Sequence, residues 1–374
     1  MNLSRICPLI LLFGFFFSCA NEDKEKTDRY VIPVDPYAAD SVKLSSLAES
    51  TRYITLDVDI ENYMSYPRKI VFYQDRIFCL GYNDYSKYFI GIYTETGKKV
   101  GVISGQGKGP GEFLEINDFL INPYQDRIEL LSGSMQKKIL RYDLNGVFID
   151  EIQIPHITYY FSLLNDSAYY IHNTIHFARD KEGYNVHQID YNTGQIANQI
   201  IPCNPLFDNV HSCDFFRRGD KLGIHIGIRD TLFLINQEGE IDEQWFVDFG
   251  PKQAAFFKAF RHAPKNSKQE LDLLNDFDGR SSFGDFKSTD DYLWFYYSVI
   301  EKYAGRLHHS YIYHWSSGKS WNCHGIINDI DQVAIGLRPM TTTPDGEMVF
   351  RVNTSKTNPE SDTIVLAIVT MKEG

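Results

Sequence analysis

Few residues in this chain are spaced for recognisable chemistry. His172 and His176 have the i, i+4 spacing with which two imidazoles chelate a metal from one face of a helix. They fall instead in a loop after a β-rich run, and a β loop does not fix that spacing. Asp57, Asp59 and Glu61 open like a calcium loop, with oxygen ligands at alternate positions, but Tyr63, Met64 and Arg68 break the rest of that pattern. The glycine-rich stretch from Gly105 to Gly111 invites comparison with phosphate loops. A P-loop needs Ser or Thr after its Lys to reach a metal, and here Lys108 is followed by Gly109. The dinucleotide fingerprint fails as well, because Pro110 occupies the place of its third Gly. No His-Glu-x-x-His, no Gly-x-Ser-x-Gly and no nucleophile with its base is present. No catalytic residue is therefore assigned, and metal and cofactor content are left open. Carboxylates from distant parts of the chain could still meet in space without leaving a motif.

What would position such groups is set by internal repetition. Strand, short turn, Gly, strand recurs at Gly97, Gly146, Gly194, Gly239 and Gly318. Gly supplies the positive φ of tight hairpins, and Asn145-Gly146 is a strong signal of one. The first four are spaced as the units of a propeller are. The last interval is longer because Pro251 to Asp278 carries Phe256, Phe257, Phe260, Leu271, Leu273 and Leu274 at helix-like spacing. This segment reads as a short helical insertion between the fourth and fifth blades, and setting it aside restores a similar step. A second series places an Asp turn before a β-rich run at Asp75, Asp126, Asp166, Asp220, Asp290 with Asp291, and Asp345. Six turns predict an all-β, six-bladed propeller. Closure of the ring requires an outer strand for the last blade, and nothing after Thr363 to Val369 supplies it. Arg52 to Leu56 is predicted to do so.

With four antiparallel strands per blade, the Asp turns and the Gly turns lie on one face. The opposite face receives the longer connections: Tyr82 to Tyr88, Ser132 to Lys138, His172 to Asn185, Val299 to His309, Asn353 to Ser361 and the helical insertion. Loops longer than a turn requires are disproportionately functional. The candidate ligand-binding residues there are Asn83, Asp84, Tyr85 and Tyr88; His172, His176 and Arg179; Arg229 and Asp230; and Glu301, Tyr303, Arg306 and His308. Aromatic rings beside Asp, Arg and His suit stacking on a sugar or clamping a peptide, whereas the plainer alternative for each residue is a solvated loop.

Gly105-Gln106-Gly107-Lys108-Gly109-Pro110-Gly111-Glu112-Phe113 resembles the linker of NHL-like and TolB-like six-bladed propeller lipoproteins, a bacterial family largely without assigned function. The likeness extends to Tyr53-Ile54-Thr55-Leu56, the turn series and the terminal strand. Later linkers and the insertion depart from it. The resemblance implies the fold and leaves the activity open, since one propeller architecture hosts many functions.

Met1 to Ser18 has the form of a signal peptide, with an apolar run too short to span a bilayer. Phe16-Phe17-Ser18-Cys19 resembles a lipobox, in which Cys19 is acylated and becomes the mature N-terminus; cleavage near Ala20 is the alternative. Residues 19–40 read as a lipid-anchor tether that begins with a charged segment, and residues 41–374 as the propeller. The expected location is the cell envelope, on the Gram-negative outer membrane, with a possible surface exposure. Several acyl chains would hold the chain firmly there. A net charge of −12 opposes nucleic acid as a partner. Twenty-four Tyr and 26 Phe favour pleated structure. Cys203 and Cys213 flank one loop and are either a disulfide or buried thiols, while Cys79 and Cys323 fall in apolar strands. The leading functional expectation is a membrane-anchored binding or interaction module that uses the long-loop face, with the insertion as a partial lid, for a glycan, a peptide or an outer-membrane protein. A metal-assisted hydrolase or lyase, with acidic and His ligands at the central channel, is the alternative. A purely structural subunit of a membrane complex is the third.

Overall fold

The computed structural model describes residues 28–57, 67–82, 87–173, 183–204, 212–263, 268–352 and 364–372. The described strands form six sheets, each built around one repeat. From the inside outwards the first blade is Lys69–Tyr73, Arg76–Tyr82, Tyr88–Thr94 and Lys99–Ile103. The second is Asp118–Asn122, Arg127–Ser132, Lys138–Asp143 and Phe148–Gln153. The third is Phe161–Leu163, Ala168–His172, Tyr184–Asp190 and Ile196–Pro202, and the fourth Cys213–Arg218, Lys221–Ile226, Thr231–Ile235 and Ile241–Asp248. The fifth is Ser281–Ser288, Tyr292–Glu301, Gly305–His314 and Ser320–Ile327. The sixth combines Thr341–Thr342, Met348–Arg351 and Ile364–Met371 with Ala48–Leu56 from the other end of the chain.

That last pairing closes the ring as the sequence predicts: Ile54 lies opposite Leu366 and Leu56 opposite Ile364, antiparallel. Strand character follows burial. Second strands such as Arg76–Tyr82 are covered on both faces by neighbouring blades and read as continuous apolar runs, whereas outer strands such as Lys99–Ile103 are only partly covered. The core is accordingly divided among the gaps between blades. Ile54, Leu56, Ile70 and Ile368 fill the gap between the sixth blade and the first. Phe216, Trp245, Phe295 and Tyr311 fill that between the fourth and fifth.

Two expectations are corrected. Residues 28–40 do not hang wholly free as a tether: Asp28–Pro33 pairs parallel with the outer strand of the fourth blade, and Asp40–Lys43 with that of the fifth. Ile32 and Val34 are buried there, so this part of the segment has apolar surface to bury after all. Second, Val299 to His309 is not an irregular loop. The two middle strands of the fifth blade run on as a ladder from Tyr292–His314 to Glu301–Gly305, with a tight turn at its tip. On the second of these strands Leu307 and His309 are more covered than Arg306 and His308, the alternation of a strand with one face in solvent. The insertion, α1 (Pro251–His262) and α2 (Lys268–Asp276), follows Ile241–Asp248 and precedes Ser281–Ser288 in the chain, and none of its described residues lines the central channel. Phe256 and Phe260, one turn apart on α1, pack on Ile228 at the edge of the fourth blade, where burial of each is worth roughly 1.5–3 kcal/mol. Gln253 of α1 binds the backbone of Ser281 twice, accepting from its N–H at 2.7 Å and donating to its carbonyl at 3.2 Å. No described helix is long and apolar enough to cross a membrane. Cys203 and Cys213 are thiols rather than a disulfide, and the Cys203 thiol donates to Asn185 Oδ1 at 3.3 Å.

Candidate functional site

The Asp turn of each blade joins its first and second strands, so every inner strand starts on the other face, where the blades are linked to one another. Residues of the inner strands and of the stretches just before them border the central channel, a cavity of about 930 Å3 lined by all six blades. The first blade brings Arg68 and Lys69, the second Asp118, the third Tyr160, the fourth Asp214, the fifth Asp285 and the sixth Arg338. Tyr296 and His308 of the fifth blade reach the same space, and Arg217, Lys287 and Arg351 complete its charged lining.

The charges are partly paired. Lys69 Nζ contacts Asp118 Oδ1 at 2.6 Å. Asp285 holds Lys287 at 2.6 Å and Arg338 more loosely at 3.4 Å. Asp285 is placed for this by a β-bulge: between Gly284, opposite Tyr296, and Lys287, opposite Trp294, two residues face one, and Asp285 adopts φ +57°. Bulges of this kind re-aim side chains, and here Asp285 borders the channel while Phe286 stacks on Phe216 in the core. The Arg338 guanidinium lies 4.8 Å from the Tyr296 ring centre, a cation–π distance. Tyr296 in turn stacks on His308, and its hydroxyl meets His308 Nδ1. Arg68 lies 5.8 Å over Tyr88. Arg217 donates to the carbonyls of Leu163 and Leu164, and burial pulls its guanidinium down from the usual range. Burial, with Asp214 and Asp118 nearby, pushes the Tyr160 hydroxyl up to about 12, opposed by Arg68. It remains a neutral hydrogen-bonding group at ordinary pH.

The residues predicted from the sequence are distributed over several places. Asn83, Asp84, Tyr85, His176 and Arg179 lie outside the described residues, as do Asp59 and Glu61. His308 lines the channel, and Tyr88 supports Arg68 beside it. Glu301 and Arg306 instead line an open groove of about 1070 Å3 between α2 and the long hairpin of the fifth blade, with Tyr303 fully in solvent at its tip. Asp230 lines a smaller cavity, about 430 Å3, beside α1. His172 and Arg229 are corrected: both are buried and neither lines the exposed face. His172 ends an inner-blade strand with its ring 6.4 Å from Tyr160, and Arg229 donates to the Pro202 carbonyl at 2.8 Å. Among the described residues no three His, Cys, Asp or Glu side chains converge as a metal site would require.

The channel residues themselves left a signal. Arg68, Asp118, Tyr160, Asp214, Asp285 and Arg338 each stand six to eight residues ahead of the Asp turn of their blade. Aligning the repeats on that turn brings them into one layer, which a search for motifs within single segments does not.

In comparisons with solved structures, a chain from Bacteroides fragilis described as exported superposes with a TM-score of 0.69 at 15% identity, covering 92% of this chain and 100% of that one. This is a likeness of fold. A Bacteroides caccae protein of unknown function gives 0.34 at 10% identity over 48% of this chain and 66% of that one. A Myxococcus xanthus glutaminyl cyclase gives 0.36 at 6% identity over 89% and 100%. No curated protein matches the sequence. The family model of DUF4934, a domain of unknown function, matches residues 29–362, and the chain therefore belongs to that family.

Proposed function

We propose that this chain is a cell-envelope binding module, anchored in the outer membrane through Cys19, that receives a ligand at the mouth of its central channel where the blades are linked. One observation carries the reading: each blade contributes a polar side chain to a single cavity of about 930 Å3. Concave sites of this size that gather a few polar groups are where small ligands bind. The signal-like start, the Cys19 context and the exported description of the Bacteroides fragilis chain support an envelope location. They accord with the NHL-like and TolB-like lipoproteins that the sequence resembles.

The test is a thermal-shift screen of the mature protein against small molecules, glycan fragments and peptides. A ligand that raises the midpoint in wild type but not in Asp214→Asn or Tyr160→Phe is expected. Ligands that act equally on wild type and both variants would move the site elsewhere. For the anchor, Cys19→Ser is expected to shift the protein from the membrane to the soluble fraction of expressing cells, and unchanged membrane partition would remove it.

A further inference from the structure

We infer that the ligand of this channel carries an oxyanion, a carboxylate, phosphate or sulfate group, and that Arg68 and Arg338 are its anchors. The inference rests on the channel being a binding site and adds the chemistry of what enters it. It starts from a mismatch of charge. The chain as a whole carries −12, so a cavity cut at random from its surface should be acidic. Instead the channel is bordered by six Lys or Arg side chains and three Asp. Low-dielectric walls focus such an excess into a local positive potential even when the outer surface has the opposite sign.

Pairing sharpens the point. Lys69 is matched by Asp118 at 2.6 Å, and Lys287 by Asp285 at 2.6 Å. Arg338 has only a 3.4 Å share of the Asp285 carboxylate that Lys287 already holds. Among the described residues Arg68 makes no ion pair, and its contact there is with the Tyr88 ring rather than with a carboxylate. Arg68 precedes the inner strand of the first blade and Arg338 that of the sixth, and these strands are neighbours across the ring closure. Two guanidinium groups that border one cavity from neighbouring blades suit planar or tetrahedral oxyanions, which accept paired N–H donors. Tyr296 and His308, stacked on each other beside Arg338, and the neutral Tyr160 hydroxyl offer ring faces and further donors to the rest of such a molecule.

The test uses the mature protein with inorganic phosphate, citrate and glucuronate as anionic probes, glucose as the neutral counterpart of glucuronate, and spermidine as a cation, each titrated by calorimetry. At least one anion is expected to bind saturably. Its affinity should fall about tenfold in Arg68→Gln and in Arg338→Gln and more in the pair, by the loss expected for one charge-assisted contact each. Added salt should weaken it, and Lys98→Gln on the other face should leave it unchanged. If a glutamine variant does not fold, as judged by circular dichroism, phenylglyoxal labelling of wild type replaces it: the bound anion should protect Arg68 and Arg338, read by mass spectrometry. Binding of an anion without effect of either arginine, or without protection, overturns the inference. Binding only of glucose or spermidine, lost in Asp214→Asn, also overturns it while leaving the channel as the binding site. Absence of binding by every probe, together with no channel-dependent hit in the wider screen, removes both.

Discussion

Glu129 and Glu243 are both almost fully buried, and their surroundings push them in opposite directions. Glu129 lies between the second and third blades, where Asn122 Nδ2 donates to its Oε1 at 3.0 Å and the Tyr191 hydroxyl at 2.7 Å. Burial raises its carboxyl above the ordinary range, and those donors with Arg141 only partly pull it back. A folded-state value above the unfolded one means that stability is greatest below the unfolded value and is lost as pH rises through the folded value. Glu129→Gln, which cannot ionise, is therefore expected to gain on wild type as pH climbs from acid to neutral. Glu129→Ala should lose roughly 1–3 kcal/mol by stranding Tyr191 and Asn122. Glu243 shows the reverse. Burial alone would raise it, but Lys221, the Trp245 N–H at 2.7 Å and Arg218 at 2.6 Å outweigh that and hold it low. Its contribution is present above the unfolded value and is lost as pH falls through the folded one. Glu243→Gln should cost about 1.5 kcal/mol at neutral pH and progressively less in acid. Urea unfolding across a pH series checks both, and parallel slopes for the two variants would contradict the opposed surroundings.

At the scale of the element, the Gly turns do more than reverse the chain. Gly97 has φ +89°, and a Cβ there would lie 2.0 Å from the carbonyl oxygen of Thr55 in the closing strand. The Gly97 carbonyl accepts from the Asp57 N–H at 2.9 Å, so this turn is docked on the outer edge of the sixth blade. Gly194 meets the Gln153 carbonyl in the same way, two blade gaps further on. Gly318 has φ +68° but only the Tyr313 hydroxyl nearby, at 3.6 Å. Gly318→Ala should cost about 1–2 kcal/mol, the left-handed penalty alone. Gly97→Ala adds overpacking against a backbone that cannot yield, another 1–3 kcal/mol or so. Thermal melts should place Gly97→Ala well below Gly318→Ala; equal midpoints would mean that the turn is not wedged. The Gly and Asp turns were legible because each is stated locally, by the positive φ that Gly allows or by the preference of Asp for turns. The channel layer was not, because Arg68, Asp118, Tyr160, Asp214, Asp285 and Arg338 share a height rather than a residue type. His172 and Arg229 misled because a polar residue at a strand end reads as exposed until the neighbouring blade is known to cover it.

For the whole molecule the decisive question is which parts of the N-terminal region complete the ring and which only cover it. Asp28–Pro33 and Asp40–Lys43 lie outside blades that already have four strands, whereas Ala48–Leu56 is the fourth strand of the sixth. The sequence foretold the second role, since counting turns leaves one blade a strand short. It concealed the first, since the parallel partners of residues 28–43 are some two hundred residues or more away, at Glu243 to Asp248 and Cys323 to Ile327. Removing the residues up to 43 should lower the melting midpoint while keeping one cooperative transition, because the sheets stay complete and only edges such as those under Ile32 and Val34 are uncovered. Removing those up to 56 takes away Ile54 and Leu56, roughly 1.5–3 kcal/mol each, and opens the apolar edge of Ile364–Met371 beside them. That loss is comparable with the whole stability of an ordinary domain, about 5–15 kcal/mol. The longer truncation should unfold without a cooperative transition or aggregate through its exposed edge strand. Supplying a peptide of the closing strand in trans should restore the transition. A longer truncation that melts as sharply as the shorter one would show that the ring does not depend on being joined at its ends.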